Sequence, residues 1–147
     1  MPEETAVLID GAVREALAEY GPEVAGLSCL ADGADQILAR AVLDLGGVLE
    51  AVIPAKEYRD GLPGGCHAAY DDLLGRAVRA HRLDFAESTA ESHMAASARM
   101  LDDVDVLFAV WDGQPARGYG GTADVVAEAR RREVPVRVIW PDGARRD

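Results

Sequence analysis

The chain has 147 residues, 49% hydrophobic and 28% charged, with a formal net charge of −11; this is one globular domain, 1–147, with a core of its own and not a disordered chain. The negative charge, with Lys56 the sole lysine, argues against nucleic-acid binding, which depends on neutralising phosphates. No apolar run reaches the roughly 20 residues of a membrane-spanning helix, so no membrane partner is expected.

Apolar residues at Ala6, Ile9, Val13, Ala16, Leu17 and Tyr20 have the spacing of a helix from Thr5 to Tyr20, stopped by Gly21-Pro22. Val24–Leu30 reads as a strand, weakened by Gly26. The small-residue bend Ala31-Asp32-Gly33-Ala34-Asp35 leads into a helix with Ile37, Leu38, Ala41, Val42 and Leu45 on one face, which Gly46-Gly47 ends. A strand runs from Val48 to Ile53 and closes at Pro54. The stretch from Lys56 to Cys66, with Pro63 and three glycines, reads as a mobile loop. A helix over about His67–Ala80 and a short, weak strand over Arg82–Ala86 follow. A helix is expected over Thr89–Asp102. The run Val104–Val110 has the continuous apolar character of a strand buried on both faces. It stops in Trp111-Asp112-Gly113 and the loop Gly118-Tyr119-Gly120-Gly121-Thr122, before a helix over about Thr122–Arg132, a last strand from Val134 to Trp140, and a polar tail.

The alternation of strands and helices predicts an α/β fold: a three-layer, Rossmann-like sandwich around a mostly parallel sheet of about five strands. Right-handed crossovers bring Ser28–Asp35, Pro54–Tyr58, Glu87–Thr89 and Trp111–Thr122 to one rim, outside the carboxyl ends of the strands where such sheets bind ligands. The two glycine-rich bends are the candidates for chemistry. A strand that runs through a glycine bend into a helix leaves backbone N–H groups and the positive dipole end aimed at one point, which favours phosphate. A tight turn that merely needs glycine is the plainer alternative.

Other residues keep two readings. Asp32 and Asp35 are helix caps or contacts to a ribose or metal. Asp112 is a turn residue or a ligand contact, and Trp111 covers the loop or stacks a base. Arg117 is solvated or pairs with phosphate through its planar fork. Tyr58 and Arg59 could flank a nucleotide, and Glu87 and Ser88 could touch its ribose. His67, His81 and His93 lack metal-ligand spacing and read as helix-surface residues, so no metal is expected. Cys29 reads as a small buried thiol and Cys66 as a loop residue. Without CxxC spacing, and with the acidic start Met1-Pro2-Glu3-Glu4 unlike a signal peptide, a reducing cytoplasm is expected.

The run Leu27-Ser28-Cys29-Leu30-Ala31-Asp32-Gly33-Ala34-Asp35, with Gly118-Tyr119-Gly120-Gly121-Thr122 and Ala109-Val110-Trp111-Asp112-Gly113, resembles the SLOG superfamily of Rossmann-like nucleotide-binding proteins. That group includes the Lonely Guy (lysine-decarboxylase-like) phosphoribohydrolases, whose PGGxGT signature the second loop is similar to. The resemblance spans about Thr5 to Trp140. It implies a nucleotide or nucleotide-derived phosphate ligand, with phosphate at Gly120, Gly121 and Thr122, and Ser28, Gly33 and Ala34 opposite. Trp111, Asp112, Arg117 and Gly118 complete the expected ligand set; no other cofactor is expected.

Where the phosphoribohydrolases carry their signature glutamate, this chain has Val125. Asp124 is one residue away, about 100° around the helix. A nucleotide sensor or binding module is therefore the first reading. A nucleoside 5′-monophosphate phosphoribohydrolase, or a related glycosyl-transferring enzyme, is the second, with Asp124, Asp112 or Asp35 as its only candidate carboxylates. A degenerate oligomerisation module is the third. Members of the superfamily also begin with a mid-sheet strand, whereas this chain opens on the helix that follows it. The strands at Val24 and Val104 then pair directly, or another chain supplies the edge, or the start lies upstream; a homodimer covering the edge is the expectation.

Overall fold

A computed structural model describes residues 1–116 and 118–146. In chain order the elements are α1 (Glu3–Ala18), β1 (Ala25–Ser28), α2 (Ala34–Asp44), β2 (Val48–Ala55), two 3-10 turns (Arg59–Gly61 and Gly64–Cys66), α3 (His67–Arg76), β3 (Arg79–Phe85), α4 (Ala90–Leu101), β4 (Leu107–Val110), α5 (Thr122–Arg131) and β5 (Val136–Ile139). All strand pairings are parallel, so the α/β, Rossmann-like arrangement holds.

The single five-stranded sheet does not. The five strands form two sheets, β1-β2-β3 and β4-β5, and among the described residues no backbone hydrogen bond joins β1 to β4. α1 joins the halves on one face, and α4 packed on α5 joins them on the other. The buried α1 stripe of Ile9, Val13, Ala16 and Leu17 packs in one cluster with Ile37, Ala41 and Val42 of α2 and with Ile139 of β5, and Phe108 and Val110 of β4 rest against it. A second cluster joins β2 to α3 and α4 through Leu49, Val52, Tyr70, Leu73 and Ala96. The gap also corrects the expected burial of the fourth strand: Leu107, Phe108 and Val110 are only half-buried, because a cavity runs along them.

Glycines explain the close approach of α2 to β1. A Cβ on Gly26 would stand 2.7 Å from Val42 Cγ2, and one on Gly47 would stand 2.5 Å from the Val24 carbonyl oxygen. Gly26 therefore marks a tight helix–strand contact within a true strand.

Several boundaries move. The third helix ends at Arg76 and the strand after it begins at Arg79, because Val78 N–H already bonds Leu49 O at 2.8 Å. Pro54 lies inside β2, at a register shift between Ile53 and Ala55 where its missing N–H is tolerated. The Lys56–Cys66 segment is tied down rather than open: Lys56 and Glu57 N–H bond to Phe85 and Ala86 carbonyls, and Arg59 makes a two-point bond to Asp71 at 2.8 and 2.7 Å.

Candidate functional site

The carboxyl rim is where the local chemistry converges. A cavity of about 280 Å³ is lined by Ser28, Ala31, Ala34 and Asp35 from the bend after β1 and by Gly120 and Thr122 from the bend before α5, with Tyr58 and His93 beside them. It continues downward between β1 and β4 along Leu27 and Phe108. A neighbouring cavity of about 470 Å³ is lined by Trp111, Asp112, Gly118, Gly120, Gly121, Thr122 and Arg146, and shares His93 and Val110 with the first.

At the first bend the backbone is already well served. Leu30 is fully buried in the left-handed region at φ 59°. Ser28 Oγ accepts its N–H at 3.0 Å and donates to Asp35 O at 3.1 Å, while Gln36 Nε2 donates to Leu30 O at 3.1 Å. Asp35 Oδ2 accepts the Ala31 N–H at 3.3 Å. Gly33, at φ 84°, sits at the N-cap of α2 as only glycine does comfortably. Burial pushes the Asp35 carboxyl up to about 6; the Ala31 N–H opposes the rise and the charge of Asp32 adds to it. A carboxyl in this range is half-charged near pH 6 and mostly charged at neutrality, and it lines the cavity beneath the bend.

The second bend divides. Asp124 Oδ2 accepts the Gly120 N–H at 2.8 Å, and Gly121 N–H bonds Gly118 O at 3.3 Å. Asp124 is therefore a loop-closing carboxylate at the start of α5. The Thr122 and Ala123 N–H groups, by contrast, take no hydrogen bond among the described residues, and they stand at the positive end of α5.

Trp111 and Asp112 also have partners. Trp111 Nε1 donates to Gln114 O at 2.8 Å, and the Arg130 guanidinium lies 5.8 Å from the ring centre. Asp112 accepts the Gln114 N–H at 2.9 Å and pairs with Arg146 at 3.2 Å. Both residues still line the second cavity, as loop-building residues with one face toward it. Arg117 lies outside the described residues.

His93, expected on a helix surface, instead lines both rim cavities. It sits in the first turns of α4, whose start is set by a reciprocal cap: Thr89 Oγ1 accepts the Ser92 N–H at 3.1 Å and Ser92 Oγ accepts the Thr89 N–H at 2.9 Å. That cap aims His93 into the rim rather than to the surface. Its Nε2 lies 2.8 Å from Ser88 Oγ, and its ring meets Tyr58 edge-on with centroids 5.6 Å apart. Burial lowers its pKa, favouring the neutral ring, and burial likewise holds the Tyr58 hydroxyl well above its ordinary range. The available signal was a Thr-x-x-Ser start immediately after a strand already expected to end at the rim.

No family model matches this chain, and no curated protein matches it as a relative. The other histidines serve structure: His67 meets Leu62 O at 3.0 Å and His81 pairs with Glu50 across β2 and β3 at 2.8 Å. Cys29 and Cys66 are free thiols, the first buried as expected. Among the described residues no helix is long and apolar enough to cross a membrane.

Proposed function

We propose that the rim binds a small nucleotide-like, phosphate-bearing ligand, with the protein acting as a binding or sensing module. The observation that carries this is that two bends far apart in sequence line one cavity outside the carboxyl ends of β1 and β4, the position at which open parallel sheets hold ligands. The anion would rest on the Thr122 and Ala123 N–H groups and the Thr122 hydroxyl. There the α5 dipole favours it, and Arg146 supplies a cation on the wall of the adjoining cavity. Ser28, Ala34 and Asp35 would face the sugar side, whereas Gly33, expected there, caps α2 outside the cavity lining. The first bend is the weaker anion site, since Asp35 already occupies the Ala31 N–H and would repel phosphate when charged.

Binding is preferred to N-glycosidic hydrolysis because the carboxylate closest to the family's catalytic position, Asp124, is engaged by Gly120. The SLOG resemblance supports the ligand class and leaves the base open. The test is thermal unfolding with AMP, ADP, ATP, ribose 5-phosphate and inorganic phosphate, in parallel with a search for free adenine after incubation with AMP. A ligand at about 100 times its dissociation constant stabilises by about 2.7 kcal/mol. The shift should disappear in Gly121→Val, whose first side-chain carbon would stand 2.9 Å from Ala116 Cβ and displace the bend. Absence of any shift in the native chain refutes the reading, and released adenine would move it to the enzyme.

A further inference from the structure

We propose that the outer edge of β3 is a contact between two copies of this chain. The two β3 strands pair antiparallel about a two-fold axis at Leu83, and two three-stranded sheets become one of six strands. This inference stands apart from the ligand reading: the edge lies across β2 from the gap between β1 and β4. β3 ends its sheet, and its only strand partner among the described residues is β2. Along the seven residues Arg79–Phe85, no backbone hydrogen bond reaches its other side among the described residues. Such a row of open N–H and C=O groups is a template for another strand.

Side chains decide which strand. Successive residues of a strand point to opposite faces. Arg79 and His81 border a cavity with Met100 and Leu101 of α4, and Leu83 and Phe85 share their face by alternation. Ala80, Arg82 and Asp84 lie on the other face, where the charge of Arg82 reaches the Tyr70 hydroxyl of α3. Among the described residues, the arginines without an ion pair are Arg40, Arg79, Arg82 and Arg130, and Arg130 lies against Trp111. Two of these four stand on β3, and Asp84 on the same strand is unpaired as well. The edge therefore carries free charges of both signs.

Symmetry then selects the register. Hydrogen-bonded and non-bonded residue pairs alternate along an antiparallel ladder. A two-fold axis therefore has to pass through a pair formed by one residue and its own copy. Centred on Leu83, the ladder sets Arg82 opposite Asp84 of the second copy, and Asp84 opposite Arg82. Leu83 meets Leu83, and His81 meets Phe85, which is 37% exposed in the single chain. Opposite charges directly across a ladder stabilise it, and like charges oppose it. Centring on Arg82 or on Asp84 puts like charges face to face. Centring on His81 sets Arg82 against Ala80 and Asp84 against Val78, with no charge pair at all. Edge charges of one sign would repel a second copy, whereas this alternation of signs complements itself.

The experiment measures mass by sedimentation equilibrium over a range of concentrations, without ligand. The native chain should form a dimer. Arg82→Asp turns both cross-strand pairs into facing carboxylates and should weaken the dimer roughly 10-fold or more. Asp84→Arg should do the same with the signs reversed. Both positions are exposed, so neither change disturbs the core. Mixing the two variants should recover the native affinity, because each acidic position then faces a basic one. A native chain that stays monomeric at every concentration overturns the proposal, as does a dimer that either change leaves intact. Variants that dissociate singly and fail to recover on mixing overturn it too, since the register at Leu83 requires the rescue.

Discussion

The Asp124 carboxylate accepts the Gly120 N–H at 2.8 Å and so closes the loop from which α5 starts. A negative group thus stands beside the positive end of that helix, at the spot where a ligand anion is proposed to bind. Asp124→Ala removes a charge-assisted hydrogen bond and a favourable dipole contact, and should destabilise by about 1–2 kcal/mol in urea unfolding. The same variant should bind phosphate as well as the native chain or better, because a competing negative charge is gone. Weaker phosphate binding, measured by calorimetry, would show that Asp124 serves the ligand and not the loop.

Asp35 makes stability depend on pH in a defined direction. Its folded-state pKa of about 6 lies above the ordinary 3.8, so the folded protein holds this proton more tightly than the unfolded chain. Between those values the folded state binds more protons, and stability falls as pH rises from about 4 to about 6. Asp35→Asn keeps an acceptor for the Ala31 N–H and removes the buried charge. The variant should gain on the order of 2 kcal/mol over the native chain above pH 6, because part of the carboxyl reaches solvent, and nothing below pH 4. His93, whose pKa is lowered by burial, acts oppositely as pH falls. The difference between native and variant curves isolates Asp35.

Gly47 and Gly26 should differ in tolerance to alanine. The new Cβ at 47 would press on the Val24 carbonyl oxygen at 2.5 Å, whereas at 26 it would meet the Val42 methyl at 2.7 Å, part of a side chain. Gly47→Ala should cost about 2–3 kcal/mol and Gly26→Ala less, in line with overpacking at backbone versus side chain. Equal losses in denaturant melts would argue that the helix moves as a unit.

Ile9 joins the two half-sheets. It is fully buried in the cluster that includes Val42 and Ile139. Ile9→Ala should cost about 2–5 kcal/mol, while Val7→Ala on the exposed face of the same helix (68% exposed) should change stability by less than about 0.5 kcal/mol. Similar effects at both sites would mean that α1 does not bridge the sheets.

Much of the architecture was readable from side-chain type and spacing. The stripe from Ile9 to Leu17, the glycine stops at 46 and 47, and the apolar runs at 48 and 107 each have a local physical cause. Handedness then brings both bends to one rim. His93 was not readable: its spacing is that of an exposed helix position, and only the Thr89–Ser92 cap turns it toward Ser88 and Tyr58.

By itself, then, the order of residues determined the alternation of helices and parallel strands and the meeting of the bends after Ser28 and before Thr122, because hydrophobic period and crossover handedness act locally. Tertiary structure decided that the strands part into two sheets around a slot, and that Ser28, Asp35 and Asp124 satisfy amides which the glycine pattern left open. Whether a buried N–H is free depends on which oxygen reaches it in space. No pattern of neighbours along the chain encodes that distance.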